Sequence, residues 1–128
     1  MDDSFEEKFE RLKVELAATY TLLARLLSRL PIPIGIPPLE EEWDPEEAIE
    51  VLARTRTSLL GPQPIEDWPR GLIDEAVLMW LTAYEVGNTM VIGAPDPWKY
   101  DAVSRVLMRV ISLADAAARE LGFELDSE

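Results

Sequence analysis

Leu72-Ile73-Asp74-Glu75-Ala76-Val77-Leu78-Met79-Trp80-Leu81-Thr82-Ala83-Tyr84-Glu85-Val86-Gly87-Asn88-Thr89-Met90-Val91-Ile92 is apolar almost all the way round a helix. Glu75, Thr82, Glu85 and Thr89 interrupt it at spacings of seven, three and four, so they fall along one line. A helix with so thin a polar seam must be packed on several sides. The remainder of the 128-residue chain is therefore expected to be its cover.

Working outward, Asp67 is the expected cap of this third helix, predicted over 68–92, and Gly93-Ala94-Pro95 closes it. Gly87 on its apolar face reads as a close helix crossing, because an interior glycine costs about 1 kcal/mol against alanine unless a neighbour needs the room. Asp96-Pro97 opens a fourth helix over 97–121, with Val103, Val106, Leu107, Val110, Leu113, Ala114, Ala117 and Leu121 inward. Gly122-Phe123 fits a left-handed cap with its hydrophobic contact. Asp44-Pro45 with Glu47 starts a second helix over 45–60, whose stripe is Ile49, Leu52, Ala53, Arg56, Leu59 and Leu60.

The first helix, predicted over 4–30, carries Phe5, Phe9, Leu12, Leu16, Thr19, Leu23, Leu26 and Leu30 at alternating spacings of four and three. Ser4 and Glu7 match a capping box, and the Thr19 hydroxyl reads as bonded back to its own helix. Residues 31–43 form a proline-rich strap that cannot be helical, and the alternating Ile32, Ile34 and Ile36 offer one face to the bundle or a docking strip to a partner. Trp43, Trp68 and Trp98, each beside a helix start, read as lids over the bundle ends. The expected fold is thus all-α, a four-helix bundle-like single domain over residues 1–128 with one long proline-rich connection between helices one and two. Short connections make helices two, three and four antiparallel in turn, whereas the strap leaves the direction of the first helix open.

The composition narrows the chemistry. Without cysteine or histidine, the chain has no disulfide framework, thiolate site, serine-type triad or histidine-based metal motif. A formal charge of −13 disfavours nucleic acid and anionic membrane and favours a basic partner. No run is long enough to span a bilayer, and a cytoplasmic location is expected. The arginine bias among the cations fits a GC-rich genome as easily as a function, and an artificial sequence is also compatible.

Three sets of residues are candidates for function. Glu40, Glu41, Glu42, Asp44, Glu46, Glu47 and Glu50 are seven acids with no cation among them. They suit a helix start, where carboxylates are favoured, or a surface for a basic protein. Arg56, Trp80, Tyr84, Arg105 and Arg109, with Thr57 nearby, would line a small-molecule pocket if the helices pack in the right rotation. Otherwise Trp80 and Tyr84 are core aromatics, and the Arg56 stem covers apolar surface while its head reaches a carboxylate.

The third set is carried by a resemblance. Glu46-Glu47-Ala48-Ile49-Glu50 matches an EExxE pattern, and Glu85-Val86-Gly87-Asn88 approaches ExxD. Together they resemble the all-α, magnesium-dependent nucleotide pyrophosphohydrolases of the MazG type, which implies Glu46, Glu47, Glu50 and Glu85 as Mg²⁺ ligands. The chain departs from that pattern at Asn88 and in the length between the motifs. Asn88 to Asp96 with Tyr100-Asp101 is similar to a short stretch of growth-hormone-like helical cytokines, joined more faintly by Arg11-Leu12 and Thr19-Tyr20. This chain lacks the cysteines of that family.

The function expected from the residues is non-catalytic protein–protein binding, as a small regulator or inhibitor or as a designed bundle, with no cofactor. A Mg²⁺-dependent nucleotide hydrolase, a small-molecule-binding bundle and a cytokine-like protein are the alternatives. So apolar a third helix also allows a homodimer.

Overall fold

The computed structural model describes residues 2–92 and 97–125, with the side chains of residues 6–90 and 97–125. Four helices and no strand make up the described chain: α1 (Asp2–Ser28), α2 (Pro45–Arg54), α3 (Asp67–Ile92) and α4 (Pro97–Leu121). They pack as an all-α, four-helix bundle-like domain. α3 is its centre, touching α1, α2 and α4, with the α3–α4 seam the most extensive. Ile73, Ala76, Val77, Trp80, Ala83 and Met90 of α3 are buried, while Thr82, Glu85 and Thr89 face outward with the half-exposed Leu78.

The direction of α1 follows from its contacts. Leu16 and Thr19 meet Trp80, and a cleft wall brings Phe9 and Leu12 together with Gly87 and Asn88. Low numbers of α1 thus face high numbers of α3, and the two helices are antiparallel. At one end Lys8, Arg11 and Glu15 lie beside Tyr100 and Asp101, and at the other the Arg29 guanidinium sits 4.2 Å over the Phe123 ring, so α1 and α4 are parallel. α2 also runs against α3, with Trp43 beside Tyr84 and Arg56 beside Asp74. The strap is therefore a return path that lets α1 and α2 point the same way.

Its hold on the bundle is through backbone groups. Ile34 N–H donates to the Leu27 carbonyl at 3.0 Å, and the Tyr20 hydroxyl donates to the Pro37 carbonyl. The Gln63 side chain does both jobs at once for Ile32, accepting from its N–H at 3.0 Å and donating to its carbonyl at 2.6 Å. Ile34 and Ile36 are buried, as their alternation predicts, but the Ile32 side chain is 51 % exposed. Ile32 is held by its peptide groups instead of its side chain.

Several local expectations change. α1 begins at Asp2, so Ser4 lies inside the helix instead of capping it. The side chain of Phe5, and the Gly93-Ala94-Pro95 stop with the Asp96 cap, lie outside the described residues. In α2 the buried line is Ala48, Leu52 and Thr55, with Ala53 exposed and Ile49, Arg56 and Leu59 half-buried. That line keeps the regular spacing of four and three, one residue round from the expected stripe; beyond it comes a π-helical stretch, Thr55–Leu59, in which the Leu60 N–H reaches back five residues to the Thr55 carbonyl at 2.9 Å. The extra residue in that turn rotates Leu60 into the core. Asp67 is the first residue of α3 instead of its cap, and its carboxylate pairs with Arg70 at 2.6 Å. Trp68 and Trp98 are exposed, not lids, because Pro69 and Tyr100 hold the inward positions of their first turns. Gly87 is not a contact so close that it excludes a side chain, since a Cβ there would meet Leu16 Cδ1 at an ordinary 3.6 Å.

The α4 stop is built as its residues predict. Gly122 adopts φ of 95°, the Phe123 N–H reaches the Ala118 carbonyl at 2.9 Å, and the Gly122 N–H reaches Arg119 at 3.1 Å. Gly122→Ala is expected to cost about 1 kcal/mol, since a Cβ is strained in the left-handed region. A urea midpoint unchanged from the parent would contradict this.

Candidate functional site

The seven acids of residues 40–50 are all exposed. Asp44 is also structural: its carboxylate accepts from the Glu46 N–H at 3.0 Å and caps α2 behind Pro45. Glu85 is exposed on α3, and among the described residues no three acids converge to hold a metal ion. The four carboxylates implied by the hydrolase resemblance are therefore not brought together.

The arginine-lined pocket does not assemble as a unit either. Arg56 turns to Asp74, with Nε 2.9 Å from Oδ1, and Arg109 leans toward Glu75 at 3.9 Å. Arg105 is exposed on α4. Arg56 and Arg109 are each drawn to an acid of α3, and none of the three arginines lines the hollow that holds Trp80 and Tyr84.

Those two aromatics do belong to a cavity, but a different one. Trp80 and Tyr84, one turn apart on α3, stack with centroids 5.4 Å apart and planes 14° apart. Tyr20 of α1 tilts against Trp80 at 5.3 Å, and Trp43 of the strap meets Tyr20 edge-on at 5.4 Å and Tyr84 at 6.4 Å. Four rings thus close into a circuit that ties α1, α3 and the strap together. The Trp80 N–H is anchored between the Leu16 carbonyl at 3.1 Å and the Thr19 hydroxyl at 3.0 Å. Thr19 in turn donates to the Glu15 carbonyl at 2.8 Å, so the polar entry in the α1 seam serves both its own helix and the tryptophan.

Outside this circuit lies an apolar cleft of about 270 Å³. Phe9, Leu12, Leu16, Ala17 and Tyr20 form its α1 wall, and Trp80, Tyr84, Gly87 and Asn88 form its α3 wall. Leu39 and Trp43 of the strap close the third side, and Lys13 stands at the rim, paired with Glu10 at 3.0 Å. Gly87 has a use here, because its missing Cβ leaves the cleft deeper where α3 passes Leu16.

Trp43 is a shared wall. On its other side an open recess is lined by Gly35, Ile36, Pro37 and Pro38 together with Glu40, Glu42, Asp44 and Glu47. Glu41, Glu46 and Glu50 do not line it. The Tyr20 phenol reports the same neighbourhood. Burial raises its pKa above the ordinary tyrosine value, the Trp43 N–H partly offsets that, and the Glu47 charge raises it further. Folding therefore favours the neutral phenol, and this contribution to stability is full below the ordinary tyrosine range and lost as pH rises through the raised value.

Sequence reasoning missed Tyr20, Leu39 and Phe9 as cleft residues and Arg70 as a structural hub. Arg70 donates to the carbonyls of Leu60, Gln63 and Ile65 at 3.2, 2.8 and 2.8 Å, holding the turn between α2 and α3. Among the described residues no helix is long and apolar enough to cross a membrane. No family model, curated protein or solved structure matches the chain.

Proposed function

We propose that this acidic helical chain is a non-catalytic protein-binding module, of the small regulator or inhibitor type, and that the cleft receives an apolar side chain of its partner. The observation that carries this reading is the size and lining of the cleft. Pockets for drug-sized molecules run about 300–1,000 Å³. At about 270 Å³, with walls of Trp, Tyr, Phe and Leu, this one suits a single large inserted side chain. Its titratable neighbours are two phenols and the paired Lys13. Trp80 and Tyr84 are held by packing and by the Leu16 and Thr19 acceptors, so the walls are formed before a partner arrives.

Indole, as a surrogate for an anchoring side chain, is the probe. Titrated into ¹⁵N-labelled protein, it is expected to shift the amides of Ala17, Gly87 and Asn88 saturably. Ala17 is an exposed position on the cleft wall, so Ala17→Phe is expected to fill the space without disturbing the fold and to abolish those shifts. Saturating indole that leaves the three amides unmoved in the parent would remove this reading.

A further inference from the structure

Resting on that binding reading, we infer that the partner element is a basic amphipathic segment that places one apolar anchor in the cleft and lays its lysines or arginines across Trp43 onto Glu40, Glu42 and Glu47. The cleft alone would accept an apolar side chain from any protein. What selects among partners is the surface continuous with it.

Trp43 separates the apolar cleft from the recess that carries Glu40, Glu42, Asp44 and Glu47. An occupant large enough to leave the cleft on that side meets carboxylates at once. Those carboxylates are exposed, and no described arginine or lysine lines either hollow except Lys13, which stands at the rim of the cleft and is already paired with Glu10. An acidic or neutral segment would lose by repulsion or gain nothing, whereas a basic one completes charges that the fold leaves open. The chain-wide −13 charge adds long-range attraction for the same partner.

The placement also divides the acid run into two groups that composition cannot distinguish. Glu40, Glu42 and Glu47 line the recess beside Trp43, and Glu41, Glu46 and Glu50 do not. Asp44 lines it too but is committed to capping α2. A direct contact predicts that only the first three matter, and a bulk charge effect predicts that both groups matter equally.

The experiment is calorimetry at about 0.15 M salt, where exposed charges more than about 8 Å apart are largely screened. The probe is a synthetic helical Lys/Ala peptide with one central Trp. Binding is expected to weaken about tenfold for Glu40→Gln/Glu42→Gln/Glu47→Gln and less than about twofold for Glu41→Gln/Glu46→Gln/Glu50→Gln. Replacing the peptide's Trp by Ala, or its lysines by glutamine, is expected to weaken binding at least about tenfold. Thermal melts of both triple variants verify folding, and their equal net charge controls for long-range attraction. Equal loss in the two variants, or undiminished binding of the anchor-free or neutral peptide, would overturn the inference. Peptides that fail while indole still shifts the cleft amides would overturn the basic-partner inference and leave the binding reading standing. Failure of indole as well would take down both.

Discussion

Trp80→Ala is expected to lower the free energy of unfolding by about 3–5 kcal/mol, the usual range for emptying a buried tryptophan site. Against a total of about 5–15 kcal/mol for a domain, this brings the chain close to unfolding. The ring is 2 % exposed, stacks on Tyr84 and tilts against Tyr20, so its removal opens the seam between α1 and α3 as well as the back wall of the cleft. Trp80→Phe separates volume from hydrogen bonding. Phenylalanine keeps most of the packing but gives up the N–H shared by the Leu16 carbonyl and the Thr19 hydroxyl, and both acceptors retain other interactions in α1. Its cost is therefore expected to be smaller, about 1–2 kcal/mol. Urea denaturation of both variants decides the point: an alanine variant within about 1 kcal/mol of the parent would mean that the tryptophan does not close the seam.

Gln63→Leu is the second large effect, expected at about 2 kcal/mol, because two backbone groups of Ile32 lose their partner together. Full orphaning of both would cost more, but the Ile32 side chain is exposed and water can reach the freed groups in part. Gln63→Glu is informative beside it. A carboxylate can still accept from the Ile32 N–H but has no hydrogen to offer the Ile32 carbonyl. Amide exchange at Ile32 is expected to accelerate in the leucine variant and to keep most of its protection in the glutamate variant. If exchange at Ile32 is unchanged in Gln63→Leu, the strap is held by something other than this amide.

These two positions also separate what was legible from what was not. Trp80 and Tyr84 lie four residues apart in an apolar run, so their sharing a helix face could be read directly, and the Asp44-Pro45 start is a purely local device. On α2 the expected Leu52 and Leu60 are buried, but the choice of Ala48 and Thr55 over Ile49, Ala53 and Arg56 could not be read, and the widened turn at Thr55–Leu59 that favours Leu60 over Leu59 leaves no local signal. The cleft needs Tyr20, Trp43 and Trp80 to meet, and those residues are joined only by tertiary packing. Gln63 acts on Ile32 across 31 residues, and nothing near either residue announces it. Arg70 did leave a signal. Pro62, Pro64 and Pro69 remove backbone donors around the turn, and carbonyls gathered there call for a side chain with several N–H groups.

The parallel course of α1, α2 and α4 has an electrical consequence for the whole bundle. Peptide dipoles cancel in an up-and-down arrangement of alternating helices, but here three point one way and only α3 opposes them. About half an elementary charge at each helix end leaves a net positive pole where α1, α2 and α4 begin and a negative pole where they finish. The side chains run against that polarity. Glu46 and Glu47 sit in the first turn of α2, while Arg25, Arg54 and Arg119 occupy the last turns of α1, α2 and α4. Added salt thus has two opposing actions on this chain, relieving carboxylate crowding while screening the attraction between side chains and backbone poles. The acids at the start of α2 thus sit at the positive pole of the backbone, and the arginines in the last turns of α1, α2 and α4 sit at the negative one.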